Sequence, residues 1–332
     1  MNRPSVWQAD RAGFLRRSPS ALFVFLSLLF GVAIAFLTPP LRGPDESAHF
    51  LRAYGISQGD IVPSRLDQEG RKGIFLPAHV YEGFAYFDAL QIMPRGPTFS
   101  YRQAIEEYRI SRTAKASEDA PPQPVFVRYG GSEGYSPAPY LPHIVAVGAA
   151  RLLGLEFLGT LYLMRIIGLL ASTAIIAYAI ALAAPLRWPL LLIAMIPAAL
   201  YGRAVINADG GVLAYSMVVT ALWLRGTLFP QTRRVLAEAA WLCLCALSKP
   251  PQIIFVVLAA AAQPVRDIVR SWRGIAAVAL PALILSIAWV LMSAGDVGAW
   301  RLVELTGIPA EQFSVGWKLR FMLQQPLHFP IA

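Results

Sequence analysis

The sequence Pro44-Asp45-Glu46-Ser47-Ala48-His49-Phe50 follows almost directly on a long apolar segment, residues 20–38. An apolar run of this length is typical of a membrane-spanning helix, so two carboxylates and an imidazole are expected close to a membrane surface. Later apolar runs of the chain could enclose this position. We therefore predict an all-α fold, a polytopic membrane helical bundle whose long first extracytoplasmic loop carries surface helices and a functional site.

The composition supports a membrane protein. Of the 332 residues, 56% are hydrophobic and only 15% are charged, whereas soluble domains carry about 25% charged residues. The net charge of +9 is interpreted as Lys and Arg in cytoplasmic loops. Nucleic acid is not expected as a partner, because no basic stretch alternates with aromatic residues as single-strand-binding surfaces require.

The distribution of positive charge predicts the topology. Basic clusters all lie on the cytoplasmic side only if the segment Pro139–Leu155 does not cross the membrane, a point that the sequence leaves open. The predicted localisation is the inner (plasma) membrane, multi-pass, with a cytoplasmic N-terminus. In chain order we predict a cytoplasmic N-terminus (1–19), a first transmembrane helix (20–38), an extracytoplasmic loop with surface or embedded helices (39–157), a transmembrane bundle of about six helices (158–294), and an extracytoplasmic tail that leads to further spans (295–332).

The acids after the first span allow two compatible interpretations. Asp45 and Glu46 are suited to the start of a helix, where negative charge offsets the helix dipole. They are also suited to activating a hydroxyl nucleophile, because a partly desolvated carboxylate is a better general base. His49 lies four residues after Asp45 and could donate a hydrogen bond to it or contact a phosphate. One His and one Asp do not define a metal site.

Five further residues could share this membrane face. Asp209 lies in a turn that the predicted topology places on the same side as Asp45, and Arg203 is its natural counter-charge or a phosphate contact. Lys249 interrupts an apolar run, where it either extends to the membrane surface or meets a lipid phosphate. Tyr135 and Tyr140 are either interfacial anchors or stacking surfaces for a sugar.

Several of these elements together resemble a known family. The chain is similar to the bacterial membrane-protein family called domain of unknown function 2142, which in turn resembles the GT-C superfamily of polyprenyl-phosphate-sugar-dependent glycosyltransferases, including the protein O-mannosyltransferases. The elements that carry the resemblance are Pro44-Asp45-Glu46 with His49-Phe50, Tyr135-Ser136-Pro137 with Pro139-Tyr140, Arg165, Asn207-Ala208-Asp209-Gly210, and Leu247-Ser248-Lys249-Pro250-Pro251.

The resemblance implies a GT-C-like fold and transfer of a sugar from a polyprenyl-phosphate donor to an envelope glycan, lipid or protein on the outer face. It assigns catalysis to Asp45, Glu46 and Asp209. It assigns donor-phosphate contacts to Arg203 and Lys249, and substrate binding also to His49, Tyr135 and Tyr140. The mannosyltransferase element reads Asp-Glu-x-His-Phe, whereas here one more residue separates the acids from His49. No cofactor is identified, and a divalent cation, Mg²⁺ or Mn²⁺, stays an open option.

Two other functions are compatible with the sequence. One is a transporter or flippase, and the other is a non-catalytic assembly protein for cell-envelope polysaccharide. A transporter needs charged residues deep within its spans, and Arg165 is the main candidate. An enzyme, in contrast, should lose activity on Asp45→Asn while keeping its fold.

Overall fold

A computed structural model describes residues 19–92, 100–115, 123–255, 265–293, 307 and 315–325. This part of the chain is mostly helical, with a single pair of short strands. The helices are α1 (Pro19–Leu37), α2 (Glu46–Ser57), α3 (Ala78–Ile92), α4 (Tyr101–Lys115), α5 (Leu141–Leu152), α6 (Phe157–Leu182), α7 (Arg187–Ala194), α8 (Pro197–Ala204), α9 (Asp209–Leu228), α10 (Val235–Ser248), α11 (Val265–Ser293) and α12 (Val315–Gln324).

Among the described residues, four helices are long and apolar enough to cross a membrane: α1, α6, α9 and the segment Trp272–Ser293 of α11. Helix α10 is apolar but shorter, at 14 residues. The predicted first span of residues 20–38 therefore corresponds to α1. The apolar run at residues 251–262 begins as a short 3-10 helix, Pro250–Ile254, and residues 256–264 lie outside the described residues.

Two apolar segments are shorter than a membrane span. The apolar stretch at residues 188–202 falls within α7 and α8, which have eight residues each. They separate before Pro197, which suits the first turn of a helix because it has no N–H to donate. The 12 residues of α5 extend about 18 Å, well below the roughly 30 Å of a hydrocarbon core. Helix α5 packs against α2 and α6.

Long-range hydrogen bonds bring one set of helix ends together, which we call the loop end of the bundle. The Tyr201 hydroxyl donates to the carbonyl of Arg42 at 3.3 Å. Ser136 Oγ donates to the carbonyl of Leu247 at 2.8 Å, near the end of α10. Trp289 Nε1 of α11 donates to the carbonyl of Gly134 at 2.9 Å. The long first loop therefore covers the ends of α8, α10 and α11.

The predicted all-α class needs one correction. Strands β1 (Gly73–Leu76) and β2 (Val125–Arg128) pair antiparallel, with Gly73 opposite Arg128 and Leu76 opposite Val125. Buried residues of α2, β1, α3 and α4 form one hydrophobic cluster together with residues of α5 and α6. The first loop thus shares a core with the bundle.

Helix α2 is also not the surface helix that the sequence predicted, because nine of its 12 residues are buried. Its one arginine, Arg52, can be buried because carbonyl groups accept its hydrogen bonds. The Arg52 guanidinium donates to the carbonyls of Tyr135, Asp60 and Ile61 at 2.6–2.9 Å. A buried charge with its donors satisfied by carbonyls needs no solvent.

Candidate functional site

Asp45 has an unusual backbone conformation. In the segment between α1 and α2, Leu41 (φ 58°) and Asp45 (φ 49°) are in the left-handed region, although neither is glycine. Such residues cost about 1–2 kcal/mol each and often mark functional positions. The side chain of Asp45 is exposed and makes no capping hydrogen bond to α2. Its carboxylate is therefore available to a ligand.

Glu46 is in the opposite situation, with both carboxylate oxygens enclosed. Its side chain is 0% exposed and accepts two hydrogen bonds from Arg165, from Nε at 2.8 Å and from Nη2 at 2.6 Å. The backbone N–H groups of Gly43 and Ile206 donate to it at 3.1 and 3.0 Å. The adjacent acids predicted as a catalytic pair are thus separated, one in solvent and one in the core.

Arg165 also binds the end of the first span. Its Nη1 donates to the carbonyls of Ala35 and Thr38, each at 2.7 Å, and its Nη2 donates to the carbonyl of Pro39 at 3.0 Å. The last carbonyls of a helix have no partner within that helix, so a buried arginine there stabilises it. The charge considered as part of a transport path is therefore neutralised and fully hydrogen-bonded.

His49 contacts Tyr140 rather than Asp45. Its Nδ1 lies 2.5 Å from the Tyr140 hydroxyl, and Tyr135 packs edge-on against its ring with 5.3 Å between centroids. Burial lowers the pKa of His49 to about 4, although the charges of Asp45 and Asp209 act in the opposite direction. His49 is therefore neutral at pH 7 and is close enough to both acids to interact with their charges.

Asp209 and Lys249 form an ion pair at the loop end. Asp209 is the first residue of α9 and Lys249 follows α10, with side chains 65% and 32% exposed. Burial alone would lower the pKa of Lys249, but the hydrogen bond and charge of Asp209, together with Tyr135, outweigh it and raise the pKa. Lys249 Nζ also lies 6.0 Å from the centroid of the Tyr135 ring. Lys249 is thus a partly exposed cation beside the pair formed by His49 and Tyr135.

Arg203 is not part of this group, and the predicted pairing of Arg203 with Asp209 is wrong, because Lys249 takes that position. Arg203 is 2% exposed and donates to the carbonyls of Ala199 at 3.1 Å and Ala194 at 2.8 Å. Its guanidinium lies 5.1 Å from the ring centroid of Phe23. Its Nη1 has no hydrogen-bond partner among the described residues. This side chain is directed into the bundle and does not reach Lys249.

A cavity of about 730 Å³ adjoins Asp45. No local sequence pattern predicts it, because its walls come from α2, α3 and β2, which are far apart in the chain. One signal was present: the α3 residues that line it recur at positions three, four and three apart, which places them on one helix face. Its lining residues are Asp45, Ser47, Ala48 and Leu51 of α2 and the turn before it, Tyr81, Phe84, Asp88 and Gln91 of α3, Phe126, Val127 and Arg128 of β2 with Tyr129 and Gly130 after it, and Asp67.

No group of three or more His, Cys, Asp or Glu residues in the described part of the chain is arranged to hold a metal ion. The predictions for the site thus divide into two sets. His49, Tyr135, Tyr140, Asp209 and Lys249 come together, with Asp45 close enough to interact electrostatically with His49. Glu46 and Arg203 lie in the core.

Several apolar helices of spanning length among the described residues define a multi-pass helical membrane protein. Within that class, the chain belongs to the family described as "Predicted membrane protein (DUF2142)", whose model matches residues 28–327. No curated protein and no solved structure matches the chain. The family membership predicted from the sequence is thereby confirmed, whereas the comparisons give no support to the GT-C resemblance.

Proposed function

We propose that this protein is an integral membrane glycosyltransferase that transfers a sugar from a polyprenyl-phosphate donor to an envelope acceptor. The observation that carries the proposal is the position of Asp45. Its carboxylate is exposed, is held on a left-handed backbone, lines a cavity of about 730 Å³, and is close enough to His49 to act on it electrostatically. In this proposal the loop end faces the outside of the inner membrane and the N-terminus is cytoplasmic.

The reaction needs a base and a cation. A hydroxyl oxygen of the acceptor forms a bond to the anomeric carbon of the donor sugar, and Asp45 accepts the hydroxyl proton. The bond between the anomeric carbon and the phosphate oxygen breaks, and polyprenyl phosphate leaves with the bonding electrons. Lys249 offsets the negative charge that develops on the leaving phosphate. The lipid tail can stay in the bilayer because Lys249 lies at the end of an apolar helix.

The neighbouring residues position these two groups. Asp209 fixes the ammonium of Lys249 through their ion pair, and its exposed carboxylate also borders the donor side. His49 and Tyr140 form a rigid neutral wall, since burial keeps the imidazole uncharged at pH 7. Tyr135 offers a ring beside Lys249, suited to contact the donor sugar. Glu46 has no role in the chemistry, because four donors already occupy its oxygens.

The experiment measures transfer of label from the polyprenyl-phosphate sugar pool to the envelope fraction, in membranes that contain equal amounts of folded protein. Asp45→Asn removes the base while keeping the side-chain volume, so transfer should fall at least 100-fold. The matched control is Glu106→Gln, another exposed carboxylate of the first loop that does not line the cavity. The same assay with EDTA and with added Mg²⁺ or Mn²⁺ tests a metal requirement.

Transfer that survives Asp45→Asn at the wild-type rate would refute the site. Lys249→Met provides a second test, because loss of the cation should reduce transfer. Asp209 then loses its ion-pair partner but stays exposed. Transport is less well supported than transfer by the structure. Arg165, the charge expected in a transport path, is held by a carboxylate and three carbonyls.

A further inference from the structure

The cavity beside Asp45 has the size of a ligand site. Its volume of about 730 Å³ lies within the 300–1,000 Å³ typical of small-molecule pockets. One wall is a single face of α3, with Tyr81, Phe84, Asp88 and Gln91. Other walls come from β2 with the turn after it and from the start of α2. Two helices and a strand therefore contribute to the lining.

Aromatic rings stand on two of these walls. Tyr81 on α3 and Phe126 on β2 are both only partly buried and line the cavity. Phe126 is held in place by Phe75 of β1, which packs edge-on against it with 5.4 Å between centroids. An aromatic face offers a large apolar contact at low entropic cost. The C–H face of a pyranose ring is a suitable partner, since it is apolar while the ring's hydroxyls point outward.

Hydrogen-bonding groups surround these rings. Asp88 also lines the cavity, and its carboxylate accepts a hydrogen bond from Gln91 Nε2 at 3.0 Å. Burial raises the pKa of Asp88, whereas a hydrogen bond from Ser47 lowers it by a smaller amount. Carboxylate oxygens accept several hydrogen bonds each, so Asp88 and Asp45 can both receive ligand hydroxyls.

The charges of the cavity are unbalanced. Three aspartates and one arginine line it. The arginine is already engaged: Arg128 Nε donates to Asp67 Oδ2 at 2.6 Å, and its Nη2 lies 3.2 Å from Glu69 Oε2. Within the described part of the chain, Asp45 and Asp88 thus line the cavity without a cation paired to them. A phosphorylated or uronic-acid ligand would be repelled there, because like charges oppose each other without a compensating partner.

We propose that this cavity is a binding site for a hydroxyl-rich glycan that is neutral or cationic, and that it rejects polyanionic glycans. The proposal deepens the function proposed above and rests on it for one point only, that the bound glycan is the sugar acceptor. Asp45 lines the cavity and also interacts electrostatically with His49. The charge of Lys249 acts on His49 as well. The anionic donor and the neutral or cationic acceptor would therefore approach Asp45 from different sides, the donor beside Lys249 and the acceptor beside Asp88.

The test measures binding with no donor present, using the purified full chain in detergent. Three trisaccharide probes are titrated: maltotriose (neutral), a glucosamine trimer (cationic) and trigalacturonate (anionic). We expect the first two to bind and the third to bind at least about tenfold more weakly. Trigalacturonate that binds as tightly as maltotriose would overturn the proposal, and so would the absence of binding by all three.

Two variants locate the binding. Tyr81→Ala should weaken maltotriose and the glucosamine trimer alike, because both lose the same ring. Asp88→Asn should weaken the glucosamine trimer by about tenfold and maltotriose much less, since only the cation loses a charge partner. The control is Glu106→Gln, an exposed carboxylate of α4 outside the cavity. Equal effects of Asp88→Asn and Glu106→Gln would overturn the location.

The two proposals fail separately. Trisaccharide binding that depends on Tyr81 and Asp88, in a protein without sugar transfer, would keep this site and refute the enzyme. Transfer that depends on Asp45, in a protein whose Tyr81→Ala and Asp88→Asn variants act on the acceptor like wild type, would keep the enzyme and refute this site. Size-exclusion profiles of all variants verify that each remains folded.

Discussion

Removal of the Glu46 charge offers the sharpest test of how the site is held. Glu46→Gln preserves the shape of the side chain but replaces one carboxylate oxygen with an NH₂ donor. All four groups around the present carboxylate are donors: Arg165 Nε and Nη2, and the N–H groups of Gly43 and Ile206. The new NH₂ group therefore faces a donor on every side, and Arg165 keeps a buried charge with no counter-ion.

The magnitude follows from this burial. Both side chains of the pair are 0% exposed, so screening by solvent does not reduce the effect. Removing one partner of a buried pair costs about 3–5 kcal/mol. At roughly 2 °C for each kcal/mol in a large chain, the melting temperature should fall by about 6–10 °C. Arg165→Met should cost a similar amount, because it leaves Glu46 unpaired and three carbonyls without donors.

The assay is thermal unfolding of the detergent-solubilised protein, followed by loss of the monodisperse peak. The double variant, Glu46→Gln with Arg165→Met, should cost about as much as either single change, because the two residues act as one unit. The exposed Glu69→Gln serves as control and should melt within about 1 °C of wild type. Additive losses in the double variant, or a Glu46→Gln protein as stable as wild type, would refute the reasoning.

Three further predictions concern the neighbouring charges. Arg203→Met should change stability by no more than about 1 kcal/mol and leave sugar transfer intact, since Arg203 has no carboxylate partner in the described structure; melting and transfer assays measure this. Asp209→Asn should lower the pKa of Lys249, because the charge of Asp209 no longer opposes the effect of burial. Amine-selective labelling of Lys249 at pH 9 should therefore become faster. Burial of His49 should make the protein less stable as pH falls from 6.5 towards about 4, because the imidazole of the unfolded chain takes up a proton over this interval and that of the folded protein does not. The free energy of unfolding should fall by about 3 kcal/mol in total. Melting curves of His49→Gln should therefore vary less with pH over that interval than those of wild type, whereas an unchanged slope would contradict the assignment.

The spans were the most predictable part of the fold. Apolar runs placed α1, α6 and α9 within a few residues, because membrane helices need long stretches without charge. The run at 188–202 is broken into α7 and α8, and its internal proline was the only signal of this break. The pairing of β1 with β2 was not predicted, because these strands have four residues each and lie about 50 positions apart. Short strands distant in sequence leave no local pattern.

The site was only partly predictable for a similar reason. The charge distribution placed Asp209 and Lys249 on one face, and they form an ion pair. Sequence alone could not distinguish Asp45 from Glu46, because both are acids at the same helix start. What separates them is a backbone turn at Asp45 and an arginine 119 residues after Glu46. Partners at such distances are set by packing, which periodicity does not reveal.

The order of Glu46 and Arg165 along the chain has a consequence for biogenesis. An arginine in a membrane segment costs energy to insert, up to about 2.5–3.5 kcal/mol at the segment's centre. Glu46 precedes Arg165 by 119 residues, which at 5–20 residues per second is about 6–24 s of synthesis. The counter-charge and the carbonyls at the end of α1 therefore exist before α6 leaves the ribosome. The groups that bind the one charged residue of α6 have therefore already been synthesised when α6 enters the bilayer.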